Sequence, residues 1–375
     1  MKTPFALLIN LLLAGVLLPA QGAIRTVSND PTRPAQFTTF DAAQTASAPG
    51  DTIYLYGSPF NYGDITIRKR LVVMGAGYGP NNQFGQPTRV NTIYFFRDTS
   101  TDPSGSVITG LFINGEIRQS GTLATNNITI FRNWVGGTVL LHLSGSQLSS
   151  GFVIYNNIIS TISGSANFRT DPSSTNILIA NNIIRNAITT LNSNTVLIDH
   201  NIFLGSNNLY RIYNAIISNN IFVRSSGNIF NDQVVFCTFS KNISLQSTIG
   251  PASQYSPPDI FEATYTGAGG GSNSGGGNLV GTNPLFVNVP NNDTYNATYN
   301  YRLQASSPGK NYATDGTDVG IYGGSYPFPS GGNPGSGFDT SPMPPIPQVI
   351  SVNIQNATIA PNGTLNVQVQ GRVNN

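Results

Sequence analysis

An all-β solenoid is the fold class that this 375-residue sequence predicts, and three observations predict it. A short motif recurs through the middle of the chain, a hydrophobic stretch running into an Asn, with examples at Ile128–Asn133, Ile177–Asn182 and Val196–Asn201. Charged residues make up only 9% of the chain, too few to furnish the outer faces of a coiled coil or a helical bundle. The 44 Asn outnumber the 34 Asp, Glu, Lys and Arg combined, and 40 Gly and 24 Pro add further turn-forming residues. With 39% hydrophobic residues a core can still form, which excludes disorder driven by charge repulsion.

The chain opens on Lys2 and an apolar run from Phe5 to Leu18, followed by small residues at Ala20 and Gly22. Residues 1–22 therefore read as a secretory signal cleaved before Ala23, and no later segment is apolar and long enough to span a membrane. The expected location is secreted or at the cell surface. The 18 basic residues less Lys2 stand against 16 acids, a formal charge of +1 that excludes phosphate-driven nucleic-acid binding. Cys237 stands alone in an apolar run and reads as a small core residue.

Residues 23–326 form the solenoid domain. A helix from about Phe40 to Ala48 is expected to block the unpaired edge of the first coil. The repeat then sets Asn133, Asn157, Asn182, Asn201, Asn220 and Asn242 at successive intervals of 24, 25, 19, 19 and 22 residues. An earlier copy places Gly110 in the Asn slot, which makes seven rungs. Side chains five and three places before each Asn share one parity and point inward, and the Asn amides occupy a tight corner where they can stack from coil to coil. Four places before stand Thr129, Val153, Leu178, Leu197, Ile216 and Thr238, so an aliphatic stripe runs along the outside of one sheet and calls for a cover or a partner.

This pattern resembles the right-handed parallel β-helix of the pectin-lyase-like superfamily over residues 36–325. Phe37–Leu55 is similar to that superfamily's capping helix and first coil, and Leu71–Gly77 to its next coil. Asn283-Pro-Leu-Phe286, Tyr301–Pro308 and Asp318–Gly324 are similar to its final coil. The resemblance implies a fold and leaves the activity open, because the superfamily hosts lyases, hydrolases, esterases and non-catalytic adhesins.

From Gly250 to Gly281 the composition turns to Gly, Ser and Pro, which predicts a loop excursion without a core, a candidate cover for the outer stripe. Residues 327–347 read as a Pro/Gly linker, and residues 348–375 as a hairpin built on Val349–Ile354 and Leu365–Val369. That hairpin must lie against the solenoid, pair with another chain, or belong to a larger sandwich.

Candidate chemistry is sparse. Asp199-His200 resembles a stretch that pectate lyases place beside their metal-binding face, and with Arg211 it forms the catalytic set for a polysaccharide lyase. The residues stacked on Asp199 are Ala180 and Ser218, so calcium and other cofactors find no acid-rich column and none is expected. Asn181 and Asn219 flank His200 in the same alignment, as members of a polar ladder would. The only other acids of the repeat region, Asp171 and Asp232, fall in loops, and the signatures of polygalacturonases are absent. Arg132, Arg169, Arg185, Arg211, Arg224 and Lys241 sit at differing offsets and form no single column. Phe131 and Tyr155 are candidate stacking platforms for a glycan. The expected function is a non-catalytic scaffold binding polysaccharide or a surface protein, with an acidic-glycan lyase or hydrolase as the alternative.

Overall fold

The computed structural model describes residues 22–78, 86–143, 149–164, 174–205, 207–224, 226–290, 294–328, 347–355, 358 and 363–373. The leader segment, Arg169, Asp171 and most of the linker lie outside the described residues. Almost all regular structure is β, wound into a parallel solenoid.

Each coil begins with a short strand of one sheet, here sheet 1. Among the described residues eleven such strands stack in parallel, from Ile24–Val27 to Ser274–Gly276. Register is held from coil to coil, so Ile130 lies beside Ile108 and Ile154, and Ile198 beside Ile179 and Ile217. These inward side chains are fully buried, as are Ile128, Val196 and Cys237 two places earlier. Burial of the Cys237 thiol pushes its pKa up to about 12, which leaves it a core residue rather than a nucleophile.

After the strand the chain turns a corner in two residues. The second is the ladder Asn, whose Oδ1 accepts from both the backbone N–H and the Nδ2 of the Asn one coil earlier, at 2.8–3.1 Å, from Asn133 through Asn242. The register moves one sequence reading by a residue: Gly110 aligns with Arg132, and Leu111 fills the ladder slot, its N–H bonded to the Asn133 amide oxygen. The ladder also continues beyond Asn242 to Asn278 across a 36-residue step. Sheet 2 then carries the chain through a short strand and a third face, represented by Ile93–Arg97, Ile117–Gly121, Ile183–Asn192, Leu209–Tyr213 and Phe230–Val235.

At the N-terminal end Phe40–Thr45 is helical, shorter than the sequence reading, with Thr39 accepting from the Ala42 N–H at its start. Phe40 and Ala43 enter the core, and Gln44 bonds to Thr66 and Arg68 on the first strand of sheet 2. At the other end the Gly-rich stretch differs from its expected form. Tyr255, Phe261, Ala263 and Tyr265 are buried in the core, and Phe261 meets the rings of Phe222, Phe230 and Phe239. Close approach explains the glycines: a Cβ on Gly275 would lie 1.7 Å from the Phe239 carbonyl oxygen, and one on Gly271 would lie 2.3 Å from the Phe236 ring. The segment closes the tube instead of leaving it.

The region from Asn283 to Phe328 also departs from its expected form as a final coil. It doubles back outside the solenoid as a strap. The residue after each ladder Asn points away from the tube, and at five successive coils it is Ile158, Ile183, Ile202, Ile221 and Ile243. That column needs a cover, and Phe286, Tyr301, Val319, Ile321 and Phe328 bury it in a second apolar cluster. The stripe singled out from the sequence lies elsewhere: Val153, Leu178 and Leu197 are half-buried on sheet 1, and Ile216 is 45% exposed. The terminal hairpin pairs Pro347–Ile354 with Val367–Val373 in antiparallel fashion, and its described side chains are exposed.

Candidate functional site

The site grows out of the first residue of each corner. Arg132, Asn156, Asn181, His200, Asn219 and Lys241 all take φ between 52° and 59°, a left-handed conformation that turns the chain. The ladder Asn are not among the residues with positive φ, so the left-handed turn of the corner belongs to the residue before. The division is geometric: a side chain that must enter the tube keeps extended backbone, while its predecessor turns and projects outward. Asn adopts this conformation readily and His more than most residues, which suits them to the slot.

The outward side chains form a rail for the strap, which descends it coil by coil. Lys241 lies over the Tyr312 ring at 3.9 Å. Asn219 receives a hydrogen bond from the Thr314 N–H at 2.8 Å and donates to the Thr314 hydroxyl at 2.9 Å. Asn181 donates to the carbonyls of Ile321 and Gly323 at 3.0 and 2.7 Å, and Asn156 to that of Tyr326 at 2.7 Å.

His200 occupies the middle of this rail with its side chain 1% exposed. Its Nδ1 lies 2.8 Å from Asp199 Oδ2, and its Nε2 lies 3.3 Å from the Thr317 hydroxyl and 3.8 Å from Asp315 Oδ1. The other Asp199 oxygen accepts from Ser218 Oγ at 2.7 Å and Asn219 Nδ2 at 2.8 Å. Thr317 Oγ1 donates to Asp315 at 2.6 Å and accepts from the Gly324 N–H at 2.8 Å. Burial pushes the Asp315 carboxyl up, but the Thr317 hydroxyl and amide and the neighbouring His200 outweigh it, and its pKa is lowered. Gly323 and Gly324 lie directly on the imidazole, where a Cβ on either would come within 2.8 Å of a ring atom.

The structure thus brings Asp199 and His200 together and leaves Arg211 elsewhere. Arg211 stands on the third face, its Nε 3.0 Å from Asp232 Oδ2 and its guanidinium over the Tyr210 ring at 4.8 Å. Phe131 and Tyr155 stack at 5.0 Å with planes 3° apart, and Tyr326 of the strap lies 4.5 Å from Tyr155. Removal from water raises the Tyr155 pKa. Arg185 is engaged with the Val135 and Gly136 carbonyls and the Trp134 ring. Asp315 and Asp318 belong to the strap, where Asp318 pairs with Lys310 at 2.6 Å.

Sequence reading missed Thr317, Asp315 and the Gly323-Gly324 pair, which act across more than a hundred residues of chain. The available signal was the Asn doublet, at 156–157, 181–182 and 219–220, with one amide for each side of the corner. Among the described residues no three His, Cys, Asp or Glu side chains converge as a metal cluster, and no helix is long and apolar enough to cross a membrane. No protein-family model matches the chain, and a search of curated proteins returns no match.

Proposed function

We propose that this protein is an exported, non-catalytic scaffold that binds polysaccharide along the outer faces of its coils. One observation carries the reading: the Asp199–His200 pair has its polar atoms engaged by Ser218, Asn219 and Thr317 and lies under the strap. A base or nucleophile must reach its substrate within hydrogen-bonding distance, and a covered imidazole does not. The open surfaces are long and regular instead, with a rung every ~4.8 Å. Such a face suits an extended polymer, whose repeating units meet repeating side chains.

The alternative is a lyase on an acidic glycan. The observation in its favour is the 2.8 Å Asp199–His200 contact, which would orient an imidazole as a base once the strap lifted. Incubation of the purified protein with polygalacturonate, alginate and a glycosaminoglycan separates the two readings. Absorbance from unsaturated uronate products would overturn the scaffold, while binding of a polysaccharide without product supports it.

A further inference from the structure

A groove of about 270 Å³ opens on the third face of the solenoid, away from the strap, and is lined by Asn186, Ala187, Thr189, Asn207, Tyr210 and Asn231. We propose that this groove is a subsite for a neutral polysaccharide, a proposal that rests on the carbohydrate-scaffold reading and places the ligand.

Its construction follows from the coil register. Ile188, Leu209 and Phe230 align and fill the tube, so their neighbours Thr189, Tyr210 and Asp232 align on the outside. Between these outward positions and the next inward ones each strand passes through a stacked left-handed residue, Thr190, Arg211 and Gln233, with φ of 57°, 55° and 35°. A β-branched residue such as Thr190 pays heavily for that conformation.

The chemistry of the lining selects the ligand. Three carboxamides, from Asn186, Asn207 and Asn231, bring donors and acceptors for sugar hydroxyls to the lining, with the Asn186 Nδ2 donating to the Thr161 hydroxyl at 3.2 Å. Asn207 and Asn231 are exposed and have no side-chain hydrogen bond among the described residues, so both amides are available. Tyr210 supplies the ring on which an apolar sugar face can lie, and Arg211 against that ring, itself tied to Asp232 at 3.0 Å, holds it in place. Pairing with Asp232 also engages Arg211, the cation that lies over the Tyr210 ring. The lining therefore carries no net charge to attract a uronate or sulfate, and neutral sugars fit it better than acidic ones. The rung repeat of ~4.8 Å is close to the length of a pyranose unit, so a bound chain running along the solenoid axis would stay in step with the coils.

Surface plasmon resonance on the immobilised full chain tests this, with galactomannan, xyloglucan and dextran as neutral probes and polygalacturonate and alginate as anionic ones. At least one neutral polymer should bind, and Tyr210→Ala should weaken it by about tenfold. Tyr210→Phe, which keeps the ring, should retain most of the binding, and so should Phe131→Ala. Asn207→Ala and Asn231→Ala should each weaken it by a few fold. Circular dichroism and thermal midpoints check that each variant stays folded. Binding that survives Tyr210→Ala but is lost in Phe131→Ala would overturn the groove while leaving the carbohydrate scaffold standing, and so would binding restricted to the anionic polymers. Wild-type protein that binds none of the five polymers would overturn both.

Discussion

Asn156 and Asn157 are neighbours in the chain and identical in chemistry, yet they belong to regions with different rules. Asn157 lies inside the corner, fully buried, its amide locked between Asn133 and Asn182. Asn156 turns the chain with φ of 54° and hands its amide to the strap. Inside, a side chain must donate and accept at once, at one short reach and one coil spacing, and only Asn meets all three demands. Asn accordingly recurs at 133, 157, 182, 201, 220, 242 and 278. Outside, the slot asks for a left-handed backbone and something for the strap to hold, so Gly110, Arg132, His200, Lys241 and Gly277 share it with the asparagines. From Asn133 to Asn278 uniformity marks the structural column, where only the earlier Leu111 breaks it, and variety marks the docking column.

The sharpest way to break this contrast is to remove one amide from each side of the same corner. Asn220→Ala strips the acceptor from the buried N–H of Asn201 and leaves the Ile198 and Ser218 carbonyls without their side-chain donor. Each buried group left unsatisfied costs about 1–3 kcal/mol, so a loss on the order of 3 kcal/mol is expected in urea unfolding. Asn219→Ala should cost about 1 kcal/mol, since it removes strap contacts at a partly solvated edge. Equal losses in the two variants would erase the distinction between the columns.

Glycine at the strap tests the docking side alone. Gly324 takes φ of 71° against the His200 ring, and a Cβ there would lie 2.8 Å from Nδ1. Gly324→Val combines backbone strain with that clash and should favour release of the strap by about 2 kcal/mol. Hydrogen exchange should then speed up over residues 309–328 while amides of sheet 1 keep their protection. Loss of protection throughout the solenoid would show that strap and tube unfold as one unit.

These two columns also mark how far the sequence could be read. The tube was legible because its signals are local: parity fixed Ile128 and Ile130 inward, and the Asn spacing fixed the ladder to Asn242. Asn278 escaped because it lies a 36-residue step beyond Asn242, and Gly271 and Gly275 escaped because glycine packed against a ring or a neighbouring backbone reads the same, in a string of letters, as glycine in a loop. The strap was the larger omission. The contacts of Asp199-His200 with Thr317 and Gly324 could not be read from the chain, since nothing in the spacing of the repeat announces which distant segment will lie over a corner. The outward Ile column at 158, 183, 202, 221 and 243 was the available clue, since five aliphatic side chains in a row outside a tube demand a cover.

Within the rail, His200 can be compared with its own neighbours. His200→Asn reproduces the residue found at 181 and 219, keeps a side chain suited to left-handed backbone, and should lower stability by less than about 1 kcal/mol. His200→Leu keeps the bulk but buries Asp199 and Thr317 against an apolar group, and should cost about 2 kcal/mol through their lost partner. Urea midpoints of the two variants decide whether the imidazole is one acceptable rail residue among several. A large loss in His200→Asn would give the ring a role that the rail does not require.

The smallest effect expected is one of pH, and it acts on the strap without touching the ladder, whose amides do not titrate. Asp315 has a folded-state pKa below its free value through the Thr317 hydrogen bonds and His200, against the opposing pull of burial. A depressed carboxyl pKa contributes stability that is fully present above the free value, about 3.9, and is lost as pH falls through the lower folded value. Protection at residues 309–328, measured relative to the intrinsic exchange rate at each pH, should therefore fall as the solution is taken from pH 5 toward about pH 3. With 43% of its side chain exposed, Asp315 is screened by solvent, and the change should be modest. Asp315→Asn should flatten the response of the strap, while sheet 1 should behave alike in both proteins. A wild-type response that the substitution leaves intact would show that Asp315 is not its source.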